Sequence, residues 1–180
     1  MEVRIADLVI DDLESFLETV DSVATAHDVT VQAFDARYVA GRRHLERAVE
    51  LADRAIARGE NVARDRSVEI LLYAAGRRQI DRALEMGVSV GEMRAVFVID
   101  GAGDEAAAAT ALGERLGGDG WKPLEGTAED EGQKGDKSDE WRDSATIEAF
   151  FDITEAERAA TDADLETLVC ERVALLEVEK

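Results

Sequence analysis

The residues best suited to chemistry are arginines concentrated in the middle of an acidic chain. From Arg37 to Arg82 there are eleven Arg against seven Asp or Glu, whereas the whole 180-residue chain has a formal net charge of -20. Guanidinium groups bind phosphates in pairs, and an Arg or aromatic plane stacks on an unpaired base. A positive segment within an anionic chain therefore makes a bound polyanion the first candidate ligand.

The spacing of these arginines suggests one shared surface. Arg78 and Arg82 are four residues apart, so on one helix face they would repel each other. Two more arginines precede the apolar segment 68–75, and a tyrosine lies within it. The predicted nucleic-acid-binding residues are Arg64, Arg66, Tyr73, Arg77, Arg78, Gln79 and Ile80. The alternative interpretations are a surface network of Arg–Glu ion pairs and, for the tyrosine and the isoleucine, a place in the core.

A second motif suggests nucleotide chemistry. The segment Gly101–Ala106 reads G-x-G-x-x-A between a predicted strand and a predicted helix, which resembles a dinucleotide-binding fingerprint. Asp104 and Glu105 fall in the first helical turn, where they would repel phosphate and serve better as N-cap and dipole partners. We expect a tight turn and a capped helix here, and keep a small nucleotide-binding enzyme as an alternative function.

Other groups capable of catalysis or metal binding are sparse or uninformative. His27, His44 and Cys170 are widely separated, and no pair has the spacing of metal ligands. We interpret His44 as a packing or surface residue and Cys170 as a small buried hydrophobe. With 41 Asp and Glu, close carboxylate pairs arise by chance. The sequence therefore predicts no catalytic residue, no metal site and no cofactor.

The composition indicates adaptation to a salt-rich cytosol, as in halophilic archaea. Of the 21 basic residues only four are Lys, against 41 acidic residues. Carboxylates hold water and keep neighbouring molecules apart when salt screens other charges. The N-terminal segment is not a signal peptide, and no apolar run approaches the ~18 residues of a membrane span. We expect a soluble, cytoplasmic protein with no membrane partner and no internal disulfide.

Three apolar segments are predicted to be strands. Val3–Ile10 shows partial alternation, and Val29–Phe34 is β-branched and aromatic. Ala95–Ile99 is a continuous apolar run, which is typical of a central strand. The predicted fold class is α/β (mixed α+β), with a small central sheet of at least three strands packed with helices in a single domain over residues 1–180.

Apolar residues three and four positions apart predict the helices around this sheet. Asp11 or Asp12 is expected to cap the first helix. Asp35 is expected to cap the second, and Gly59 to end it. The third helix is apolar on nearly all sides, which predicts burial, and Gly76 is expected to bend or break it.

The second half of the chain is predicted to contain further helices and one loop. The segment Ile80–Leu84 continues an apolar face, and Asp104–Leu116 is Ala-rich and helical. Thr154–Glu157 forms a capping box, and Leu165–Leu176 forms the last amphipathic helix. Leu124–Asp143, with few apolar residues and many Gly, Asp and Glu, is predicted to be a mobile acidic loop.

The central helical segment carries a family resemblance. The string VEILLYAAGRRQI at 68–80 closely resembles the central motif of the PRPK-binding protein (TPRKB) family, the small accessory subunits of the KEOPS complex. Val31–Ala36, Asn61–Ala63 and Cys170–Leu176 resemble other parts of the family, so the likeness covers most of the chain. The combination of E-I-L-L-Y with R-Q-I is fairly specific, whereas 124–143 looks like a lineage-specific insertion.

The resemblance implies a non-catalytic role. Such subunits bind the N-terminal lobe of the atypical KEOPS kinase, modulate it, and help recruit tRNA by its 3′ CCA end for N6-threonylcarbamoyladenosine formation, reaching the other subunits through the kinase. For the kinase contact we expect apolar residues of the last helix, Leu168, Leu175 and Leu176, whose alternative role is intramolecular packing. The alternative functions are an enzyme using the Gly101–Ala106 turn and a pure protein-binding scaffold.

Overall fold

The computed structural model describes residues 1–117, 119–124 and 141–178, and within them it contains eight α-helices and four β-strands. The strands are β1 (Glu2–Ile10), β2 (Thr30–Asp35), β3 (Gly91–Asp100) and β4 (Asp119–Pro123). The helices are α1 (Leu13–His27), α2 (Arg42–Arg58), α3 (Arg66–Ala74), α4 (Ile80–Ala83), α5 (Glu105–Leu116), α6 (Ser144–Phe150), α7 (Glu155–Ala159) and α8 (Leu165–Val178). The predicted mixed α/β class is confirmed.

The chain divides into two compact units. The first, here called the sheet unit, comprises Met1–Ala36 and Gly87–Leu124, and the second, the helical unit, comprises Arg37–Met86 and Glu125–Lys180. The single domain over residues 1–180 stays a prediction. Most of the predicted acidic loop, residues 125–140, lies outside the described residues.

The sheet unit is built on an antiparallel sheet in the order β2-β3-β1-β4. The predicted central position of β3 is confirmed, because it pairs with β2 on one side and β1 on the other and is buried from Ala95 to Ile99. Strand β4 is not among the strands predicted from the sequence. Its five residues include Gly120 and Pro123, which are poor strand formers, and its pairing with β1 is irregular.

Helices α1 and α5 bury one face of this sheet. Phe16 and Val20 from α1 and Leu112 from α5 enter a core that contains Phe97 of β3. The Phe16 and Phe97 ring centroids lie 6.3 Å apart. Fully burying a side chain of this size stabilises a fold by about 1.5–3 kcal/mol, so this cluster anchors the sheet unit.

Local capping fixes these helices as predicted. Asp12 accepts a hydrogen bond from Ser15 N at 2.7 Å, and Asp104 accepts one from Ala107 N at 2.9 Å. The structure corrects the predicted start of the acidic loop at Leu124. It is buried, and its N–H donates to Val3 O at 2.9 Å, so it belongs to the end of the sheet and not to a loop.

The helical unit centres on α2, which packs against α3 and α8. Gly59 ends α2 in the left-handed conformation at φ 68°, as predicted. The predicted cap at Asp35 is wrong, because Asp35 is a buried residue of β2 and α2 begins only after Gly41. The α2 N-terminus is instead satisfied by Glu166 of α8, whose carboxylate accepts from His44 N at 3.2 Å.

The apolar α3 is buried as its composition predicts, with Ile70 and Leu72 inaccessible to solvent. Gly76 ends this helical stretch at φ 59°, a left-handed conformation that disfavours other residues, so the predicted break is confirmed. The predicted apolar face at Ile80–Leu84 is only partly confirmed. Ala83 is buried, but Ile80 and Leu84 are exposed because α4 is a single turn.

No helix among residues 1–117, 119–124 and 141–178 is long and apolar enough to cross a membrane.

Candidate functional site

The predicted arginine surface separates into parts at the two ends of α3. Arg64 and Arg66 lie at its start, and Arg77 and Arg78 follow its end, so the two pairs lie at opposite ends of a nine-residue helix about 13 Å long. Arg66 forms a bidentate ion pair with Asp53 of α2, with N–O distances of 2.6 and 2.8 Å. Arg64 is exposed and meets no carboxylate in the described part of the chain.

After the turn at Gly76, the two adjacent arginines contact different helices. Arg77 Nη2 donates to Phe150 O at the end of α6, at 2.5 Å, and lies 3.4 Å from an Asp152 carboxylate oxygen. Arg78 Nη2 donates to Leu176 O of α8 at 2.8 Å. The closest contacts of both guanidinium groups are to main-chain carbonyl oxygens of α6 and α8. Both arginines therefore hold the ends of these helices, and no close carboxylate among the described residues neutralises their positive charge.

The other predicted residues of this surface differ in exposure. Gln79 is exposed and Ile80 is 43% exposed, so both are available to a partner. Tyr73 is only 4% exposed, and its ring offers no open face to a base. Its burial favours the alternative interpretation, a core residue.

A groove lies where Arg77 meets α6, and we call it the Phe150 groove. Its volume is about 400 Å³. It is lined by Arg77, Arg82, Glu85, Ala149, Phe150 and Asp152. The Arg77 guanidinium carbon lies 5.4 Å from the Phe150 ring centroid, within the range of a cation–π contact. Two arginines and two carboxylates thus surround one aromatic ring.

Aromatic neighbours hold the Phe150 ring in place. Tyr38 packs edge-on against it with centroids 5.0 Å apart, and Phe151 does the same at 5.0 Å. Phe150 stays partly exposed, whereas Phe151 is buried. Sequence reasoning missed Phe150 as a binding residue, because a Phe–Phe pair next to an apolar helix indicates core packing and nothing local shows which ring is exposed.

His44 lies behind this aromatic cluster and is completely buried. Its Nε2 donates to Ala74 O at 2.8 Å, while its Nδ1 accepts from Ala40 N at 3.2 Å, so the ring is neutral with its proton on Nε2. Burial lowers the pKa of His44 to about 4. Since Ala74 ends α3, His44 fixes the helix end from which the chain turns toward Arg77.

A second depression near Arg78 and Tyr73 is far smaller. Its volume is about 10 Å³, enough for about one water molecule and too little for a base. Glu69 lines it, and one oxygen of this buried carboxylate accepts from Val62 N at 3.0 Å and Ala63 N at 2.8 Å. Glu69 therefore holds the link between α2 and α3.

The Gly101–Ala106 turn is a packed corner of the sheet unit. Gly103 N donates to Asp28 O at 3.0 Å, and Asp104 N donates to His27 O at 3.2 Å. A Cβ added at Gly103 would lie 1.9 Å from His27 O. These N–H groups already have partners, and Gly103 serves close backbone contact, so the geometry disfavours a pyrophosphate here.

The three leucines predicted for a kinase contact differ in exposure. Leu168 and Leu176 are buried, and α8 packs against α2. Leu175 is 46% exposed. Of the three, only Leu175 presents an accessible apolar side chain to a partner.

The residues that the structure describes include no activated thiol and no metal cluster. Burial, and next the Glu166 carboxylate, raise the pKa of Cys170 to about 11, so this thiol stays protonated at neutral pH. Among the described residues, no group of three or more His, Cys, Asp or Glu is arranged to hold a metal ion.

The fold and the groove define a small α/β protein whose accessible features are suited to binding. The chain belongs to the CGI-121 family of kinase-binding proteins, since the family model described as "Kinase binding protein CGI-121" matches residues 11–177. This membership confirms the resemblance to the PRPK-binding proteins. No curated protein matches the sequence.

Proposed function

We propose that this protein is a non-catalytic, cytoplasmic subunit of a KEOPS complex. It binds the atypical kinase subunit and recruits tRNA by its 3′ CCA end for N6-threonylcarbamoyladenosine formation. Family membership supports the kinase-binding half of the proposal. The Phe150 groove supports the RNA half, because it combines an accessible aromatic ring with a guanidinium group above it.

The Phe150 groove has the chemistry of a single-strand site. Unpaired bases stack on aromatic side chains, and guanidinium groups reach the neighbouring phosphates. Arg82 is 67% exposed and extends the positive charge beyond Arg77. A duplex would hide its bases from the ring, so this groove favours an unpaired end.

The net charge of -20 shapes how RNA is bound. Long-range attraction is weak for such a protein, and high salt shortens the Debye length to about 3 Å at 1 M. Phosphate contacts weaken steeply with salt, whereas stacking does not. We therefore expect RNA affinity to fall less steeply with salt than for a site that relies on phosphate contacts alone.

The kinase contact involves the exposed part of α8. Leu175 is the accessible residue of the three predicted leucines, and burying its exposed apolar surface against a partner would favour association.

The test is tRNA binding by the kinase with and without this subunit. At native salt, we expect the complex to bind an intact tRNA more tightly than the kinase alone, and to lose this advantage with a tRNA lacking its CCA end. Equal binding of the two tRNAs would remove the RNA half of the proposal. Equal binding with and without the subunit would favour the pure scaffold.

A further inference from the structure

Arginine side chains connect three segments of the helical unit through main-chain carbonyl oxygens. The segments are the turn after Gly76, the turn after α6, and α8. Arg77 reaches from the first turn to Phe150 O at the end of α6. Arg78 reaches from the same first turn to Leu176 O of α8. The turn after Gly76 is therefore joined both to the end of α6 and to α8.

Arg172 makes the third connection, from α8 to the turn after α6. Its Nε donates to Phe151 O at 3.2 Å, and its Nη2 donates to Asp152 O at 3.3 Å. The same Nη2 lies 2.8 Å from a carboxylate oxygen of Glu157 in α7, which fixes the orientation of the guanidinium group. Each pair of the three segments is thus joined by one arginine. We call these three residues the arginine triangle: Arg77, Arg78 and Arg172.

The turn after α6 depends on these contacts for its shape. Asp152 has a φ of 54°, a left-handed conformation that a residue other than Gly keeps only where its surroundings fix it. The carbonyl oxygens of three successive residues, 150 to 152, each accept from a guanidinium group of the arginine triangle. Because Phe150 carries the accessible ring of the groove, the arginine triangle determines where that ring lies.

Helix α8 carries both the third arginine and the residue expected at the kinase contact. Leu175 follows Arg172 by three residues, which is less than one helical turn. It directly precedes Leu176, whose carbonyl oxygen binds Arg78. A partner that covers Leu175 therefore restrains the stretch of α8 that holds both turns. Once a segment is ordered by one ligand, a second ligand loses less entropy when it binds there.

We infer that the arginine triangle couples the kinase contact on α8 to the Phe150 groove, so that each ligand raises the affinity for the other. Arg172 is the positioning residue of this coupling, since it reaches from α8 to the turn that carries Phe150. By thermodynamic linkage, both affinities rise by the same factor. This inference rests on the proposed kinase-binding and RNA-binding functions and adds the regulation of one by the other.

The experiment is a calorimetric titration of the full chain with the kinase at native salt, with and without a saturating single-stranded RNA oligonucleotide ending in CCA. We expect the oligonucleotide to tighten kinase binding by about fivefold or more, and saturating kinase to tighten oligonucleotide binding equally. Arg172→Lys keeps the charge, but one ammonium group cannot span the acceptors that the planar guanidinium group reaches. In this variant the factor should fall below about twofold.

The matched control is Arg158→Lys, because Arg158 binds Glu148 and is not part of the arginine triangle. It should keep the full factor. Hydrogen exchange on the natural protein tests the ordering directly. Ile153 N donates to Glu148 O at 2.9 Å just after the turn, so its amide should exchange more slowly when the kinase is bound. An unchanged exchange rate would contradict the ordering of this turn.

The possible outcomes separate the coupling from the two binding functions. A factor of one or less in the natural protein, with both ligands bound, overturns the coupling and leaves both binding functions in place. A factor that persists in Arg172→Lys also overturns it, because direct contact between kinase and RNA explains that result. Loss of the factor in Arg158→Lys overturns the assignment to Arg172. Failure of either ligand to bind overturns that half of the proposed function, and the coupling with it.

Discussion

The buried neutral imidazole of His44 predicts a specific dependence of stability on pH. Its two ring nitrogens join Ala40 N and Ala74 O, which ties the segment before α2 to the end of α3. Protonation would place an uncompensated charge in the core and turn the accepting Nδ1 into a donor facing another donor. The folded protein therefore resists protonation at this site.

The sign and size follow from the two pKa values of His44. Its pKa is about 4 in the folded protein and about 6.5 when the chain is unfolded. Between these values the unfolded state binds the extra proton, so stability falls as the pH drops. The contribution is complete above pH ~6.5, lost below pH ~4, and worth about 3 kcal/mol at 1.4 kcal/mol per pH unit.

Urea unfolding between pH 7 and pH 4 at constant salt, followed by circular dichroism, measures this effect. His44→Gln should be less stable than the natural protein at pH 7, and the difference should shrink by about 3 kcal/mol by pH 4. The control is His27→Gln, because His27 is the second histidine and is partly exposed. Carboxylates titrate in all three proteins, so their effects cancel in the comparison.

Parallel stability curves for the natural protein and His44→Gln would refute this reasoning about His44. An independent check is the NMR signal of the imidazole. It should report a neutral ring with its proton on Nε2 throughout the range from pH 7 to pH 5. A folded-state titration near pH 6.5 would contradict the burial argument.

Three further predictions concern other residues. Glu69→Ala leaves the buried Ala63 N–H and the partly buried Val62 N–H without their acceptor and should lower the free energy of unfolding by about 1–3 kcal/mol, as measured in urea; an unchanged value would contradict its structural role. Gly103→Ala places a Cβ 1.9 Å from His27 O and should cost at least about 3 kcal/mol, whereas a stable variant would reopen the nucleotide-binding alternative. Leu175→Glu should weaken kinase binding at least about tenfold in a pull-down or calorimetric titration without changing the fold, while the comparably exposed Leu17→Glu on α1 should bind normally.

Local chemistry explains which parts of the fold the sequence predicts. Asp12, Gly59 and Asp104 act within four residues of their own positions, so a short window contains the cap and the group it satisfies. The start of α2 differs, because the group that satisfies it is distant in the sequence. Its N-terminus is satisfied by Glu166, which lies 122 residues away from His44 in the chain, and no local pattern could have replaced the mistaken Asp35.

The candidate site, too, could be predicted from the sequence only where the signal is local. Arg77 follows a predicted helix break, so its place beside the end of α3 could be read from the sequence. The role of Phe150 could not, because Phe150 and Phe151 are adjacent and of one type, and only the packing of Tyr38 and His44 decides which ring stays open. Tyr73 is near these arginines in the sequence, yet its helix is buried on all sides, so its ring is not part of this surface.

The arginines between Arg37 and Arg82 have two different roles. A count of charges in the sequence cannot distinguish these roles. On α2, Arg47 and Arg54 both bind Glu50 at 2.6 Å, and Arg66 binds Asp53, which is the Arg–carboxylate network considered as an alternative. Arg77 instead holds a carbonyl oxygen and covers an aromatic ring. Salt screens isolated charges more than stacking, so under the proposed RNA-binding function the Phe150 ring would contribute more affinity at high salt than an additional exposed arginine.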